Sequence, residues 1–244
     1  MKNRSKMEIE RLAQQYEKSS PSEIISFVGR QFKNTAISFS GAEDVVLIDM
    51  AEKAGIRIKA FFLDTGRLHQ ETYRFVEEIR EKYSIDITLF FPDFRDIEKL
   101  VNEKGLFSFY KDSHIECCRI RKVNPLKRAL TGLDAWITGQ RRDQNPQTRN
   151  ALPVIQIDPV FGSGNLVKIN PVASWRSKEV WDYIRDNHVP YNRLHEQGYA
   201  SIGCAPCTKP VLPSQNEREG RWWWENADKK ECGLHAGNLN LEKF

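Results

Sequence analysis

No apolar run in this chain approaches the length needed to cross a bilayer, which excludes a membrane span as the basis of its function. The sequence opens Met-Lys-Asn-Arg-Ser-Lys, without the apolar core of a signal segment, and so reads as a cytoplasmic protein. It holds no internal repeat and no low-complexity tract, which excludes repeat arrays and long disordered regions. Neither sign of charge dominates: the net charge of +4 is too small to imply a nucleic-acid partner by itself. Cysteine is scarce and odd in number, five in 244 residues, which argues against a disulfide framework in a chain long enough to bury a core of its own. With 40% hydrophobic and 29% charged residues, what remains is an intracellular globular enzyme.

The five cysteines are not scattered. Cys117-Cys118 and Cys204-Ala-Pro-Cys207 form two tight pairs, and Cys232 stands alone in a polar stretch near the C-terminus. Two thiol pairs from distant segments suit a soft metal centre, and a lone thiol suits a nucleophile. A four-cysteine zinc site usually spaces both ligand pairs by two to four residues, and only Cys204 and Cys207 fit that rule. Adjacent side chains such as Cys117 and Cys118 diverge, which is awkward around one small ion but reaches two corners of a cubane. The spacing therefore favours a 4Fe-4S cluster on Cys117, Cys118, Cys204 and Cys207 over zinc. Arg119, Arg121, Lys122, Lys127 and Arg128 follow the first pair without an intervening acid. Such a run is usually a solvated face, but here its position suggests work on a cluster and an anion.

Periodicity predicts helices first and then alternation. Ser20-Pro21-Ser22-Glu23 supplies a cap, an N1 proline and an N3 glutamate ahead of a helix over Ile24 to Phe32. Strands are expected over 35–39, 59–63, 86–91 and 135–138, a helix from Val45 to Ala54, and another with Tyr73, Val76, Ile79 and Tyr83 on one face. Strands separated by helices predict an α/β fold with a doubly wound, mostly parallel sheet that binds ligands beyond the strands' carboxyl ends. The expected organisation is an N-terminal helical segment over 1–34, a nucleotide- and cluster-binding domain over 35–207, and an extended tail over 208–244. Trp136, Trp175 and Trp181 read as core, and Trp222, Trp223 and Trp224 as anchors of the tail.

Between the first strand and its helix lies Ser38-Phe39-Ser40-Gly41-Ala42-Glu43-Asp44, a turn that can present N–H groups and hydroxyls to an anion. It resembles the pyrophosphatase-type loop Ser-Gly-Gly-x-Asp-Ser of nucleotide enzymes, except that Ala42 and Val45 replace the second glycine and the last serine. Less room and one hydroxyl fewer suit a ligand with fewer phosphates than ATP. This argues against the ATP-using sulfurylases and tRNA thiolases.

Taken together, Ser38 to Asp44, Leu63-Asp-Thr-Gly-Arg67 with Glu71-Thr-Tyr73, Cys117-Cys118 with Arg121-Lys122, Thr138-Gly-Gln-Arg-Arg142, Cys204-x-x-Cys207 and Lys230-Glu-Cys-Gly-Leu-His235 resemble the assimilatory adenylylsulfate reductases, in the same order. The likeness runs from about residue 35 to the C-terminus and is closest to the bacterial, iron-sulfur-cluster-containing branch. It implies a fold of the adenine nucleotide alpha hydrolase (PP-loop) type with a C-terminal catalytic tail. The implied reaction is reduction of adenosine 5'-phosphosulfate to sulfite and AMP through an S-sulfocysteine on Cys232, discharged by thioredoxin or glutaredoxin.

The resemblance also implies substrate contacts. Lys122, Arg218, Arg221 and Arg149 would hold the phosphosulfate, with His114 a further anion contact; Ser38, Ser40 and Gly139 would meet nucleotide or phosphate, and Leu63 and Thr65 the adenosine. Lys229, Lys230 and His235 would favour the Cys232 thiolate and Glu231 would oppose it. A reductase for the 3'-phosphorylated substrate, or for both substrates, is the alternative within the family. A zinc-held nucleic-acid module is the alternative outside it, but it leaves Glu-Cys-Gly-Leu-His unexplained. No membrane and no nucleic acid are expected as partners; a homo-oligomer stays open.

Overall fold

The computed structural model describes residues 5–225. Cys232, with the neighbouring residues 229–235, lies outside them. In chain order the elements are α1 (Lys6–Tyr16), α2 (Pro21–Gln31), β1 (Thr35–Phe39), α3 (Ala42–Lys53), β2 (Lys59–Leu63), α4 (Gln70–Tyr83), β3 (Ile87–Phe90), α5 (Phe94–Lys104), α6 (Ile115–Cys118), α7 (Asn124–Ala129), β4 (Ala135–Ile137), α8 (Pro146–Arg149), β5 (Ile155–Ile157), β6 (Val167–Ile169) and α9 (Ser177–Asp186).

The strands form one sheet in the order β3-β2-β1-β4-β6-β5. All neighbours run parallel except β5, which is antiparallel to β6. The doubly wound, mostly parallel sheet expected from the sequence is therefore present. Its connectivity reverses direction between β1 and β4, so the loops after those two strands open a crevice at their carboxyl ends, where such sheets bind ligands.

Burial explains why the strand pattern does not alternate. Four of the five residues of β1 are buried, because helices cover both faces of the sheet. One apolar cluster joins α1, α2, α3, α4 and α9 to the sheet through Leu12, Val28, Leu47, Val76 and Ile184. A second, behind the sheet, packs Val123 and Leu126 on Ala36, Phe61 and Trp136. The helix α3 is buried from Asp44 to Ala51, as expected for an element at the centre of the core. The N-terminal helices thus share the sheet's core. The capping box of α2 forms as its sequence predicts: Glu23 N donates to Ser20 Oγ at 3.3 Å and Ser20 N donates to Glu23 Oε2 at 2.8 Å.

Two local expectations change. Tyr73 lies at the shoulder of α4, where its hydroxyl donates to Asp64 at 3.0 Å, and the buried face is carried by Thr72, Phe75, Val76, Ile79 and Tyr83. Residues 208–225 are not extended. They double back, with Lys209 N donating to Gly220 O at 3.1 Å and Trp222 N to Cys207 O at 3.1 Å. No helix among the described residues is long and apolar enough to cross a membrane.

Candidate active site

The helical run that carries the first cysteine pair changes character midway. Ile115–Cys118 is α-helical, Arg119–Val123 forms a wider π turn, and Asn124–Ala129 returns to α. A π turn holds more residues per turn, so consecutive side chains fan out less, and such turns concentrate at functional sites. Here Cys117, Cys118, Arg121 and Lys122 all line one small cavity. Cys204 and Cys207 enter the same cavity from either end of a single 3-10 turn closed by Cys207 N donating to Cys204 O at 2.9 Å. No disulfide joins any of the four. Among the described residues no three His, Cys, Asp or Glu side chains are gathered to hold a single ion.

The electrostatics of this cavity are distinctive. Burial pushes the Cys207 thiol up to about 12, Cys204 adding to the effect and Lys122 opposing it. Burial also raises Cys117, against the pull of Arg121. Cys117 and Cys207 thus favour the protonated thiol unless a positive centre displaces the proton. Around them stand buried donors with no acceptor among the described residues: Arg67 Nη1, Arg121 Nε and Trp222 Nε1. Four thiols ringed by donor-only groups match an acceptor-rich inorganic cluster with thiolate ligands, so the residues present fit a 4Fe-4S group.

Adjoining it is a larger cleft of about 200 Å³ over the carboxyl ends of β1, β2 and β4. Ser38, Ser40, Leu63, Thr65, Lys122, Gly139, Arg149, Arg218 and Arg221 all line it. His114 does not: it lines the cysteine cavity, with Nδ1 2.7 Å from Glu225 Oε2 and its ring stacked 4.2 Å from that of Trp222. It was expected among the anion contacts, and in this fold the buried carboxylate of Glu225 holds its imidazole at the cysteine cavity. Thr65 lies at the seam, lining the cleft with its Oγ1 3.2 Å from Cys204 Sγ. Lys122 lines both cavities and is buried.

The loop after β1 differs from a bare anion cradle. Ser40 N, Gly41 N and Ser40 Oγ donate to Asp44 Oδ2 at 2.9, 2.9 and 3.0 Å, and Gly139 N donates to Asp44 Oδ1 at 2.8 Å. Two amides expected to face a ligand are thereby taken by the carboxylate at the third position of α3. Burial and neighbouring Glu43 push Asp44 up to about 6 against these donors. Gly139 has no substitute, because a Cβ there would stand 2.5 Å from Glu43 Cβ and 2.7 Å from Asp44 Oδ1.

One wall of the cleft comes from residues 217–221, which a buried ion network holds in place. Arg141, 1% exposed, reaches Glu43 Oε1 and both carboxylate oxygens of Glu217 at 3.1 Å and also pairs with Asp143. Gln144 Nε2 donates to Glu43 Oε1 at 2.8 Å, and Arg149 donates to Gln144 Oε1. Arg221 follows, donating to Ser201 Oγ at 3.2 Å and Ile202 O at 3.3 Å, with Gly203 leaving the only room for its guanidinium: a Cβ there would lie 2.5 Å from Nη2. Trp222 then adopts φ 41°, a left-handed conformation rare for a bulky residue, and buries its indole beside the cysteines. Trp223 is exposed and Trp224 stands edge-on to Tyr110 at 4.5 Å, so the three indoles do point apart.

Arg141, Glu43, Glu217, Gln140, Gln144, Asn192 and His195 belong to the site or its supports but were not singled out by sequence. Gln140 and Arg141 sit inside Thr138-Gly-Gln-Arg-Arg142 and had a signal; Asn192 and His195 had none.

Comparison with known proteins agrees with this geometry. The model of the phosphoadenosine phosphosulfate reductase domain matches residues 34–210. The adenosine 5'-phosphosulfate reductase of Pseudomonas aeruginosa (strain LESB58) is 59% identical over 93% of this chain and 86% of its own. The chloroplastic 5'-adenylylsulfate reductase 1 of Arabidopsis thaliana is 56% identical over 95% of this chain, which spans 51% of that longer protein. Among solved structures, the phosphoadenylyl-sulfate reductase of Candida auris in a phosphate complex superposes with a TM-score of 0.72 at 29% identity, over 85% of this chain and 98% of that one. A domain match across the whole sheet, with relatives this similar over most of their length, shows that the chain belongs to the phosphoadenosine phosphosulfate reductase family.

Proposed function

We propose that this chain reduces adenosine 5'-phosphosulfate to sulfite and AMP in assimilatory sulfate reduction, in the cytoplasm, with thioredoxin as the electron donor. The observation that carries the reading is Lys122, one buried ammonium lining both the nucleotide cleft and the four-cysteine cavity. Cys117, Cys118, Cys204 and Cys207 would hold a 4Fe-4S cluster. When bound it supplies positive charge that keeps the four ligands as thiolates and joins two distant segments of chain.

The remaining chemistry belongs to side chains. The substrate's phosphosulfate carries its negative charge into a wall formed by Lys122, Arg149, Arg218 and Arg221, where guanidinium forks pair with sulfonate and phosphate oxygens. The thiolate of Cys232 attacks the sulfonyl sulfur, the S–O bond to the nucleotide breaks, and AMP leaves with the electron pair. One thiolate of the reductant then attacks the Cys232 sulfur and forms a mixed disulfide while sulfite departs with the electron pair of the S–S bond. Its second thiol resolves that disulfide and regenerates Cys232. Two electrons pass from the dithiol to sulfur, and no charge change is required of the cluster.

The test is mass spectrometry on the full chain. Incubation with adenylylsulfate and no thiol is expected to release AMP and add roughly 80 Da, one sulfur trioxide unit, to the peptide containing Cys232. Thioredoxin should discharge the adduct as sulfite, and Cys232→Ser should stay brown and form neither. An adduct on any of the other four cysteines would overturn the division of roles.

A further inference from the structure

Gln140 lines the cleft, and the proposed reaction leaves its side-chain amide unused. Its side chain is 3% exposed, and neither Oε1 nor Nε2 has a hydrogen-bond partner among the described residues. A buried amide left unpaired is costly, and native proteins rarely tolerate one without a ligand to complete it. The side chain lines the cleft, so that ligand is the one the cleft receives.

Its place narrows which part of the ligand it meets. Phe62, Leu63 and Leu68, from β2 and the loop behind it, give the cleft apolar lining suited to a purine ring. Gln140 comes from the far side of β1, directly after Gly139, whose N–H donates to Asp44 at the loop following β1. Arg149 of the cationic wall lines the same cleft, tied to Gln144. The part of a nucleotide that joins base to 5'-phosphate is the sugar.

We propose that the Gln140 amide binds the ribose 2',3'-diol and selects a nucleotide with an unesterified 3'-hydroxyl over its 3'-phosphate. This rests on the nucleotide-reductase reading given above. An amide presents one acceptor beside one donor, and a cis-diol whose hydroxyls each donate and accept satisfies both. A 3'-phosphate only accepts. It would leave Oε1 unpaired and set its lone pairs against an anion.

The surrounding charges act in the same direction. The neighbouring cation, Arg141, is already engaged with Glu43, Asp143 and Glu217. Glu43 and Glu217 themselves line the cleft, so a dianion at this edge would meet carboxylates and no uncommitted guanidinium from Arg141.

Binding of AMP, 2'-deoxy-AMP, 3'-deoxy-AMP, IMP and adenosine 3',5'-bisphosphate to the full-length protein and to Gln140→Leu, measured by titration calorimetry, tests this. In the variant AMP should bind about 5- to 30-fold more weakly, the loss of up to two hydrogen bonds, and 3'-deoxy-AMP should lose distinctly less. The preference for AMP over the bisphosphate should shrink, whereas that for AMP over IMP should not change. Equal losses for AMP and both deoxy forms, or a change confined to IMP, would overturn the inference and place the amide elsewhere. Without ligand, Gln140→Leu should unfold at the same temperature as the parent or higher, since it removes unpaired buried groups. A clear fall would mean that the amide is paired within the protein, residues 226–244 included, and would overturn it too. Failure of the parent protein to bind AMP would instead remove the nucleotide reading itself.

Discussion

At the scale of single residues, Lys122 and Asp44 carry the sharpest expectations. In the proposed reaction Lys122 would place a positive charge where the leaving group's charge develops, in a buried site where a preorganised cation is worth far more than in water. Lys122→Ala should therefore lower kcat/KM by about 100- to 1,000-fold, the range for removing one such group. Iron content should be retained, since the lysine is not a ligand; loss of iron along with activity would reassign it to holding the cluster.

Asp44 links charge to stability. Its acid is raised from 3.8 to about 6 in the folded chain, so between those values the folded state binds a proton that the unfolded state has released. Stability from this group is full below the lower value and is lost as pH rises through the window, by about 3 kcal/mol. Asp44→Asn should remove that slope and give up the bond from Gly139, because the amide nitrogen cannot accept it. Denaturant unfolding at pH 4 and pH 7 reads the difference, and a variant that keeps the parental slope would rule Asp44 out as its source.

At the scale of elements, the segment over 208–225 decides whether the cleft has a wall. It is held at one end by Cys204 and Cys207 with Trp222, and in the middle by Arg141 gripping Glu217. Arg141→Ala would leave Glu43, Asp143 and Glu217 facing one another without their cation. The cost expected for breaking such a buried pair is about 3–5 kcal/mol, measurable by denaturant unfolding. Glu217→Gln is gentler. It should raise KM by about 10- to 100-fold, the worth of one charged hydrogen bond, with little change in kcat, because Arg218 and Arg221 keep their chemistry but lose their anchor. A kcat effect as large as the KM effect would mean that the anchor acts in the chemical step.

What the sequence revealed of these elements follows from how each is built. β1, β2, α2 and α4 announce themselves because burial imposes a period and caps mark the ends, as at Ser20 and Glu23. β5 and β6 do not. Each is three residues long, and β6 buries Lys168 at its centre over the Trp136 ring, so neither offers an apolar run to recognise. Among site residues, cysteine spacing and basic clustering were visible because those residue types have few other uses. The backfolding of 208–225 was not, because it depends on Arg141 meeting Glu217 across 76 residues of sequence. The setting of His114 was hidden for a related reason: its partner, the carboxylate of Glu225, lies 111 residues away in sequence.

At the scale of the molecule, the fold brings a helical run after the third strand and a loop beyond the last helix to one cavity. A single inorganic group could pin both. The cysteines come in pairs from 117–118 and 204–207, and two of the cleft's cations, Arg218 and Arg221, stand on the segment that follows the second pair. A cluster there would do mechanical work at a distance by fixing the wall through its anchor. Anaerobically prepared protein should carry about four irons and four sulfides per chain, the content of one cubane. Cys117→Ser should be colourless, and its effect should reach beyond the cavity. Trypsin is expected to cut at Arg218 and Arg221 faster in the colourless variant than in the brown parent, because local opening governs such cleavage and one of the segment's two anchors is gone. Equal cleavage rates in the two forms would show that Arg141, Glu217 and Trp222 suffice to hold the wall, and that the cluster's contribution is confined to the electrostatics around Lys122.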